Sequence, residues 1–190
     1  MNRDLSIACL QYSSTENEKY TLETIKYLFY KALDTGAEFI ALPECATSLQ
    51  KNSTLTKKLA KTEDQNSSLQ TLKEIAKLNS VFILIGSLPI KAKDKLVNRS
   101  FLVGPEGDVL YKYDKIHLYD VDLPNGDIFR ESDTYLPGKE AVIAKIKKNK
   151  IKIGLTICYD LRFPNLYQDL AVNGAEIIVV PSAFSNLTGP

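Results

Sequence analysis

The chain has 190 residues, of which 44% are hydrophobic, and 24 basic residues against 23 acidic ones leave a formal charge of +1. That length and apolar content suit one domain with a real core. The near-zero charge and the absence of long single-sign blocks argue against nucleic acid or an anionic membrane as partners.

At the amino end, MNRDLSIACLQY has an apolar run too short and interrupted for a secretory signal, and Leu5 to Tyr12 alternates as a buried strand would. Tyr20 to Asp34 sets Leu22, Ile25, Leu28, Phe29 and Leu33 on one helical face, and Gly36 is placed to end that helix. Phe39 to Leu42 is a short, fully apolar strand of the kind found in parallel sheets covered on both sides. Leu69 to Leu78 is a second amphipathic helix, followed by a strand over Val81 to Ser87. Val97 to Val103 and Asp108 to Tyr113 form a hairpin across Gly104-Pro105-Glu106-Gly107. Residues 116 to 138 hold Pro124, Gly126, Pro137 and Gly138 with little periodicity and read as a long loop of the functional kind. Ala141 to Ile146 and Lys150 to Ile157 make another strand pair, with the basic turn Lys147, Lys148 and Lys150 between them reading as a solvated patch. A helix beginning near Pro164 and a strand over Ile177 to Val180 complete the series. No stretch approaches the roughly 20 apolar residues that span a bilayer.

One segment is repeated. GAEFIALPE, from Gly36 to Glu44, returns as GAEIIVVPS, from Gly174 to Ser182, each time after a strand and a helix. A strand–helix–strand unit used twice predicts two similar α/β layers stacked face to face. The second copy reads as incomplete, because a covering helix for Ile177 to Val180 has no room before Pro190.

Three apolar segments stop at residues suited to amide chemistry: Glu44, Lys115 and Cys158. Open α/β sheets bind ligands at the carboxyl ends of their strands, so a base, a cation and a thiol there can converge on one crevice. Cys158 sits on a strand-to-helix turn, where helix-terminal N–H groups can favour its thiolate. Glu44, near a buried strand end, is expected to have a raised pKa and to accept a thiol proton. Lys115 is a donor for a developing oxyanion. Taken alone, Cys158 also reads as a small buried hydrophobe, Glu44 as a solvated loop acid and Lys115 as a surface lysine. His117 suggests a Cys–His dyad, but nothing fixes it near Cys158. Cys9 and Cys45 read as packing residues. An odd count of three cysteines excludes a complete disulfide set, and one histidine without a CxxC spacing does not make a structural zinc site. Free thiols point to a reducing compartment, and the expectation is a soluble, cytoplasmic protein.

LPECATS, YDKIHLYDVD followed by Glu131-Ser132, and GLTICYDLRFP together resemble the nitrilase (carbon–nitrogen hydrolase) superfamily. HLYDVDLP, CYDLRFP, GAE and the closing PSAF and TGP are most similar to its deaminated glutathione amidase and ω-amidase group. The resemblance implies a four-layer αββα sandwich over residues 1–190, with the C-terminal strands and helix of the family missing. It implies Cys158 as nucleophile, Glu44 as general base, and Lys115 with the backbone N–H of Tyr159 as the oxyanion site. Glu131 would be the additional active-site glutamate that positions substrate and lysine. The implied substrate is a small carboxylic-acid amide of the deaminated glutathione or α-ketoglutaramate type, and the full-length form would be a homodimer. Arg162, the cation nearest the nucleophile in sequence, would bind a substrate carboxylate or else pair with Asp160 or another acid. No metal or organic cofactor is required.

Other readings remain open on the sequence. Nitrile, carbamoyl and acyl-transfer chemistry use the same triad, and specificity lies in loops. An inactive fragment acting as a binding or structural module is a further alternative. A nucleotide-binding domain is disfavoured, because no GxGxxG or GxxxxGK[ST] loop follows any strand.

Overall fold

The computed structural model describes residues 4–146 and 150–184. Lys147 and Lys148 of the expected basic turn, and the closing TGP, lie outside the described residues.

Five strands form one sheet in chain order: β1 (Ile7–Cys9), β2 (Phe39–Ala41), β3 (Phe82–Ala92), β4 (Lys95–Val103) and β5 (Val109–Asp114). The first three are parallel and the last two join antiparallel. Parallel neighbours need a crossover, and helices supply it. α1 (Glu18–Asp34) links β1 to β2, and α3 (Ser67–Asn79) lies between β2 and β3. A second sheet holds β8 (Val142–Ile146), β9 (Ile151–Leu155) and β10 (Ile177–Val179) in the order β10-β9-β8, and α4 (Pro164–Val172) joins its parallel pair.

Side-chain alternation along β3 shows how the layers stack. Ile83 and Ile85 join the cluster built with Ile25 and Phe29 of α1 and Leu72 and Ile75 of α3. Phe82 and Leu84 point the other way, into a cluster with Ile153, Leu155 and Ile157 from the second sheet. A strand buried on both faces therefore needs apolar residues at every position. On the far side α4 closes over the second sheet so tightly that a Cβ on Gly154 would come within 3.1 Å of Leu170. The layers run helix, sheet, sheet, helix, as the resemblance implied.

Local rules account for the ends of these elements. Asn17 caps α1 by accepting from the Tyr20 N–H, and α1 stops at Thr35 before Gly36 turns with φ +78°. Pro164 stands at the start of α4, where a missing N–H costs nothing.

Four expectations need correction. The segment read as a buried strand over Leu5 to Tyr12 is only Ile7–Cys9. It is an edge strand with one neighbour, so Ile7 stays 39% exposed. Cys9, read as packing, is exposed on the same strand. β3 does not end at Ser87 but runs to Ala92 and folds back into β4. The long loop carries a small hairpin, β6 (Asp120–Asp122) with β7 (Ile128–Arg130), followed by a 3-10 turn at Glu131–Asp133. α2 (Ser53–Leu59) escaped notice because it buries no residue and so leaves no apolar stripe.

Gly86 lies where the two sheets converge. A Cβ there would fall 2.2 Å from the Leu42 carbonyl oxygen, 2.3 Å from that of Pro43 and 2.5 Å from Pro181 Cβ. These neighbours are backbone and ring atoms that cannot swing away. Gly86→Ala is expected to lower unfolding free energy by at least about 2 kcal/mol in urea melts; an unchanged midpoint would contradict this close approach.

Candidate active site

Each of the three chemistry-bearing side chains follows a strand end. Two residues past β2, Pro43 delivers Glu44, whose neighbour Cys45 takes φ +50° and donates its N–H to Ser87 Oγ at 2.9 Å. Lys115 directly follows β5, and its backbone is held at both ends, by Asn98 O at 3.0 Å and the Gly138 N–H at 2.8 Å. Cys158 follows β9 and Thr156-Ile157 with φ +44°, a left-handed conformation rare for a residue with a Cβ. Its N–H is fixed to Pro181 O at 2.9 Å, so the exit of β10 supports the Cys158 turn.

The charged groups meet in a buried cluster. Lys115 Nζ lies 3.1 Å from Glu44 Oε1 and 2.9 Å from Glu131 Oε2, with Lys115 only 3% and Glu44 only 7% exposed. Asn98 Nδ2 donates to both carboxylates, at 3.0 Å to Glu44 and 3.3 Å to Glu131. The Ala183 N–H reaches Glu44 Oε2 at 3.0 Å, and the Tyr119 N–H reaches Glu131 Oε2 at 2.6 Å. Burial works against the Lys115 ammonium, but the Glu44 and Glu131 carboxylates outweigh it and hold its pKa above the ordinary lysine range.

Cys158 behaves differently from expectation. Burial, reinforced by the Glu44 carboxylate, pushes its thiol up to about 11 against the opposing pull of Lys115 and the Ala183 N–H. The expected support from a helix terminus is absent because α4 starts only at Pro164. Cys158 instead opens a short 3-10 turn, Cys158–Arg162. Cys158 therefore presents a thiol beside the Glu44 carboxylate. The Tyr159 N–H, at the second position of that turn, has no partner within the turn itself.

Asp160 organises the surroundings, whereas the sequence suggested it only as a partner for Arg162. It is 0% exposed. It accepts from the Ile157 N–H at 2.9 Å, the Tyr113 hydroxyl at 2.7 Å and the His117 N–H at 3.0 Å, and its Oδ1 lies 2.8 Å from His117 Nδ1. Ile157, the residue before Cys158, is thus tied through Asp160 to Tyr113 and His117, two before and two after Lys115. His117, stacked on Phe163 at 3.7 Å, belongs to this brace and not to a Cys–His dyad. Arg162 makes no ion pair with Asp160; it is exposed at the cleft and has no ion-pair partner among the described residues. Asn98 was also missed, although Leu96, Asn98, Ser100 and Leu102 alternate onto one strand face, and a polar residue there is a readable break in an apolar pattern.

Glu44, Lys115, Glu131, Cys158, Tyr159 and Arg162 all line one cleft of about 740 Å³, whose mouth carries Ile128, Phe129, Leu161 and Phe184. Cys45, read as packing, lines it too. Among the described residues no group of three His, Cys, Asp or Glu side chains is arranged to hold a metal ion. No helix among them is long and apolar enough to cross a membrane.

The carbon–nitrogen hydrolase family model matches residues 6–189. The chain is 37% identical over 193 residues to the deaminated glutathione amidase of Yersinia enterocolitica, covering 98% of this chain and 65% of that protein. It is 36% identical over 186 residues to omega-amidase NIT2 of Mus musculus, with the same two coverages of 98% and 65%. The crystal structure of Saccharomyces cerevisiae Nit3, a nitrilase-superfamily member, superposes with a TM-score of 0.83 at 27% identity, covering 98% of this chain and 67% of that one. The chain spans about two thirds or less of the length of these curated relatives, 65% in both proteins compared here. With a family model matched over nearly its whole length, the chain belongs to the carbon–nitrogen hydrolase family of the nitrilase superfamily.

Proposed function

We propose that the cleft hydrolyses the C–N bond of a small carboxylic-acid amide through a thioester on Cys158. The observation that carries this reading is the shared ammonium: Lys115 Nζ within 3.1 Å of Glu44 and 2.9 Å of Glu131, in the cleft that Cys158 enters. Glu44 removes the Cys158 proton as sulfur bonds to the carbonyl carbon. A thiol near 11 makes this general-base step necessary, since little thiolate exists beforehand at neutral pH. The oxyanion that forms is stabilised by Lys115 and the Tyr159 N–H. As the C–N bond breaks, the nitrogen takes the proton held on Glu44 and leaves as ammonia or an amine. Glu44 then deprotonates a water, which attacks the thioester, and sulfur departs with the proton returned. Glu131 positions the lysine throughout. The cycle consumes one water and needs no metal or organic cofactor.

The substrate class follows from the similarity to amidases and from Arg162. Its guanidinium has no ion-pair partner among the described residues and is the cation available to a substrate carboxylate, as amides of the deaminated glutathione or α-ketoglutaramate type require. The complete protein is proposed to be a soluble cytoplasmic homodimer.

Cys158→Ala is expected to lower kcat/KM for such amides by at least about a thousandfold; retained turnover would remove the nucleophile from the account. Iodoacetamide labelling of Cys158, read by peptide mass, should keep rising from about pH 7 to beyond pH 9, because deprotonation follows the raised pKa. A plateau near neutral pH would mean a preformed thiolate. Asp160→Asn replaces one accepting oxygen with an NH2 donor that faces the groups donating to Asp160. It should cost about 2 kcal/mol of stability and lower kcat roughly tenfold or more with KM little changed; a wild-type kcat would deny Asp160 its positioning role.

A further inference from the structure

Glu131 stands on a turn too small to hold itself. The 3-10 turn Glu131–Asp133 has three residues, buries none of them, and no side chain caps its start. Helical turns this short do not persist unaided in water, so neighbouring segments must fix the Glu131 carboxylate. We propose that Lys95, the first residue of β4, is a positioning residue for the hydrolysis: its ammonium fastens this turn and so keeps Glu131 against Lys115. This rests on the amidase reading above and adds to that site a residue that acts without touching substrate.

Three observations converge on it. The first is where the ammonium sits. Half-buried Lys95 donates from Nζ to the Ser132 carbonyl at 2.6 Å. The next carbonyl, Asp133 O, takes Lys57 Nζ from α2 at 2.9 Å. Glu131 O already accepts from the Thr134 and Tyr135 N–H groups. Carbonyls at the end of a helical turn lack partners within it, and cationic donors bond them more strongly than neutral ones. Lys95 has no ion-pair partner among the described residues, so no carboxylate draws it away.

The second is the place on the sheet. β5 pairs with β4 only from Arg99 onward, so one edge of Lys95–Asn98 is left open beside it. The segment after the turn takes that edge: the Leu96 N–H donates to Thr134 O at 3.0 Å and the Leu136 N–H to Leu96 O at 2.7 Å. On the opposite edge Lys95 is registered with Ala92 and Leu96 with Lys91 of β3. The lysine therefore leaves a backbone fixed by the ladder, and its bond has only a side chain and a turn to order.

The third is what the turn carries. Glu131 Oε2 lies 2.9 Å from Lys115 Nζ, and Ser132, whose carbonyl Lys95 holds, is the next residue. Asn98 O receives the Lys115 N–H at 3.0 Å, so the stretch Lys95–Asn98 holds Lys115 by backbone and Glu131 by Lys95 and the Asn98 amide. One strand end thus frames both partners of the ion pair. The other side of the turn is held from β6, where Asp120 Oδ1 accepts from the Ser132 N–H at 3.0 Å. Displacing a catalytic group by about 1 Å can cost about a hundredfold in rate, which is the scale on which this anchor acts.

The test has two arms, one independent of turnover. In the first, amide hydrogen exchange is followed by NMR. The Tyr119 N–H, bonded to Glu131 Oε2, reports where that carboxylate lies; the Leu42 N–H, bonded to Leu84 O in the first sheet, reports general loosening. Lys95→Met keeps an apolar stem and removes the donor. It should raise Tyr119 exchange about tenfold or more and leave Leu42 within about twofold, while Lys95→Arg stays close to the unaltered chain. No change at Tyr119, or an equal rise at both amides, overturns the proposal. In the second arm, with succinamate as substrate, Lys95→Met should lower kcat about tenfold with KM within about twofold, and Lys95→Arg should recover most of the loss. Added to Glu131→Ala, Lys95→Met should lower kcat by less than about twofold more. An unchanged kcat in Lys95→Met, or the same tenfold loss in both backgrounds, overturns action through Glu131. If Glu131→Ala fails to fold, the exchange pattern and the Lys95→Arg rescue decide. An unaltered chain that leaves succinamate intact, together with the expected exchange pattern, supports the anchor and locates the failure in the hydrolytic reading.

Discussion

A lysine ammonium buried between two carboxylates is the constraint from which the rest of this structure follows. Removing one ammonium from water is expensive, and a single carboxylate partner leaves oxygens that must also be satisfied. Lys115 takes two, Glu44 and Glu131, and the three together carry a net negative charge. That excess is absorbed by directed N–H groups: Asn98 donating to both acids, Ala183 to Glu44 and Tyr119 to Glu131. These donors come from β4, from the segment after β10 and from the loop after β5. The cluster is complete only when both sheets and the loop are in place, so folding and site assembly are one event.

The backbone around the cluster is held in conformations that would not persist unaided. Cys45 and Cys158 both have positive φ, and each flanks the charged group. Such geometry costs on the order of 1–3 kcal/mol per residue and survives where surroundings over-determine it. Ser87 holds the chain after Glu44, accepting at Oγ from the Cys45 N–H and at its carbonyl from the Ala46 N–H. Pro181 O and Asp160 hold the chain around Cys158. Gly86 lets these supports approach closely enough to act together. The same crowding withdraws Cys158 from water and raises its thiol pKa, and in the proposed mechanism it is Glu44 that removes the proton.

Much of this was legible in the chain. Short apolar runs such as Phe39–Ala41 and Ile151–Leu155 announce strands buried on both faces, and the residues at their carboxyl ends announce the crevice. The repeat of GAE before β2 and β10 marks the paired layers. What the pattern could not carry was anything set by distant partners. Asp160 matters because of Tyr113, 47 positions away in sequence, and His117, 43 positions away. Glu131 sits among three-residue strands and a single turn, too short for any period to register, and only resemblance to a family pointed to it. The expected help of helix-terminal N–H groups to the Cys158 thiolate does not materialise, because a short 3-10 turn stands where a helix start was expected and burial, invisible locally, outweighs nearby donors.

The account requires a carboxylate, an ammonium and a thiol to act on one carbonyl, and the covalent intermediate reports that most directly. A Glu44→Asp variant mixed with substrate should slow thioester hydrolysis enough for intact mass and peptide mapping to detect an acyl group on Cys158. An acyl group carried instead by Cys45 or Cys9, or substrate turned over while Cys158 is fully alkylated, would contradict it.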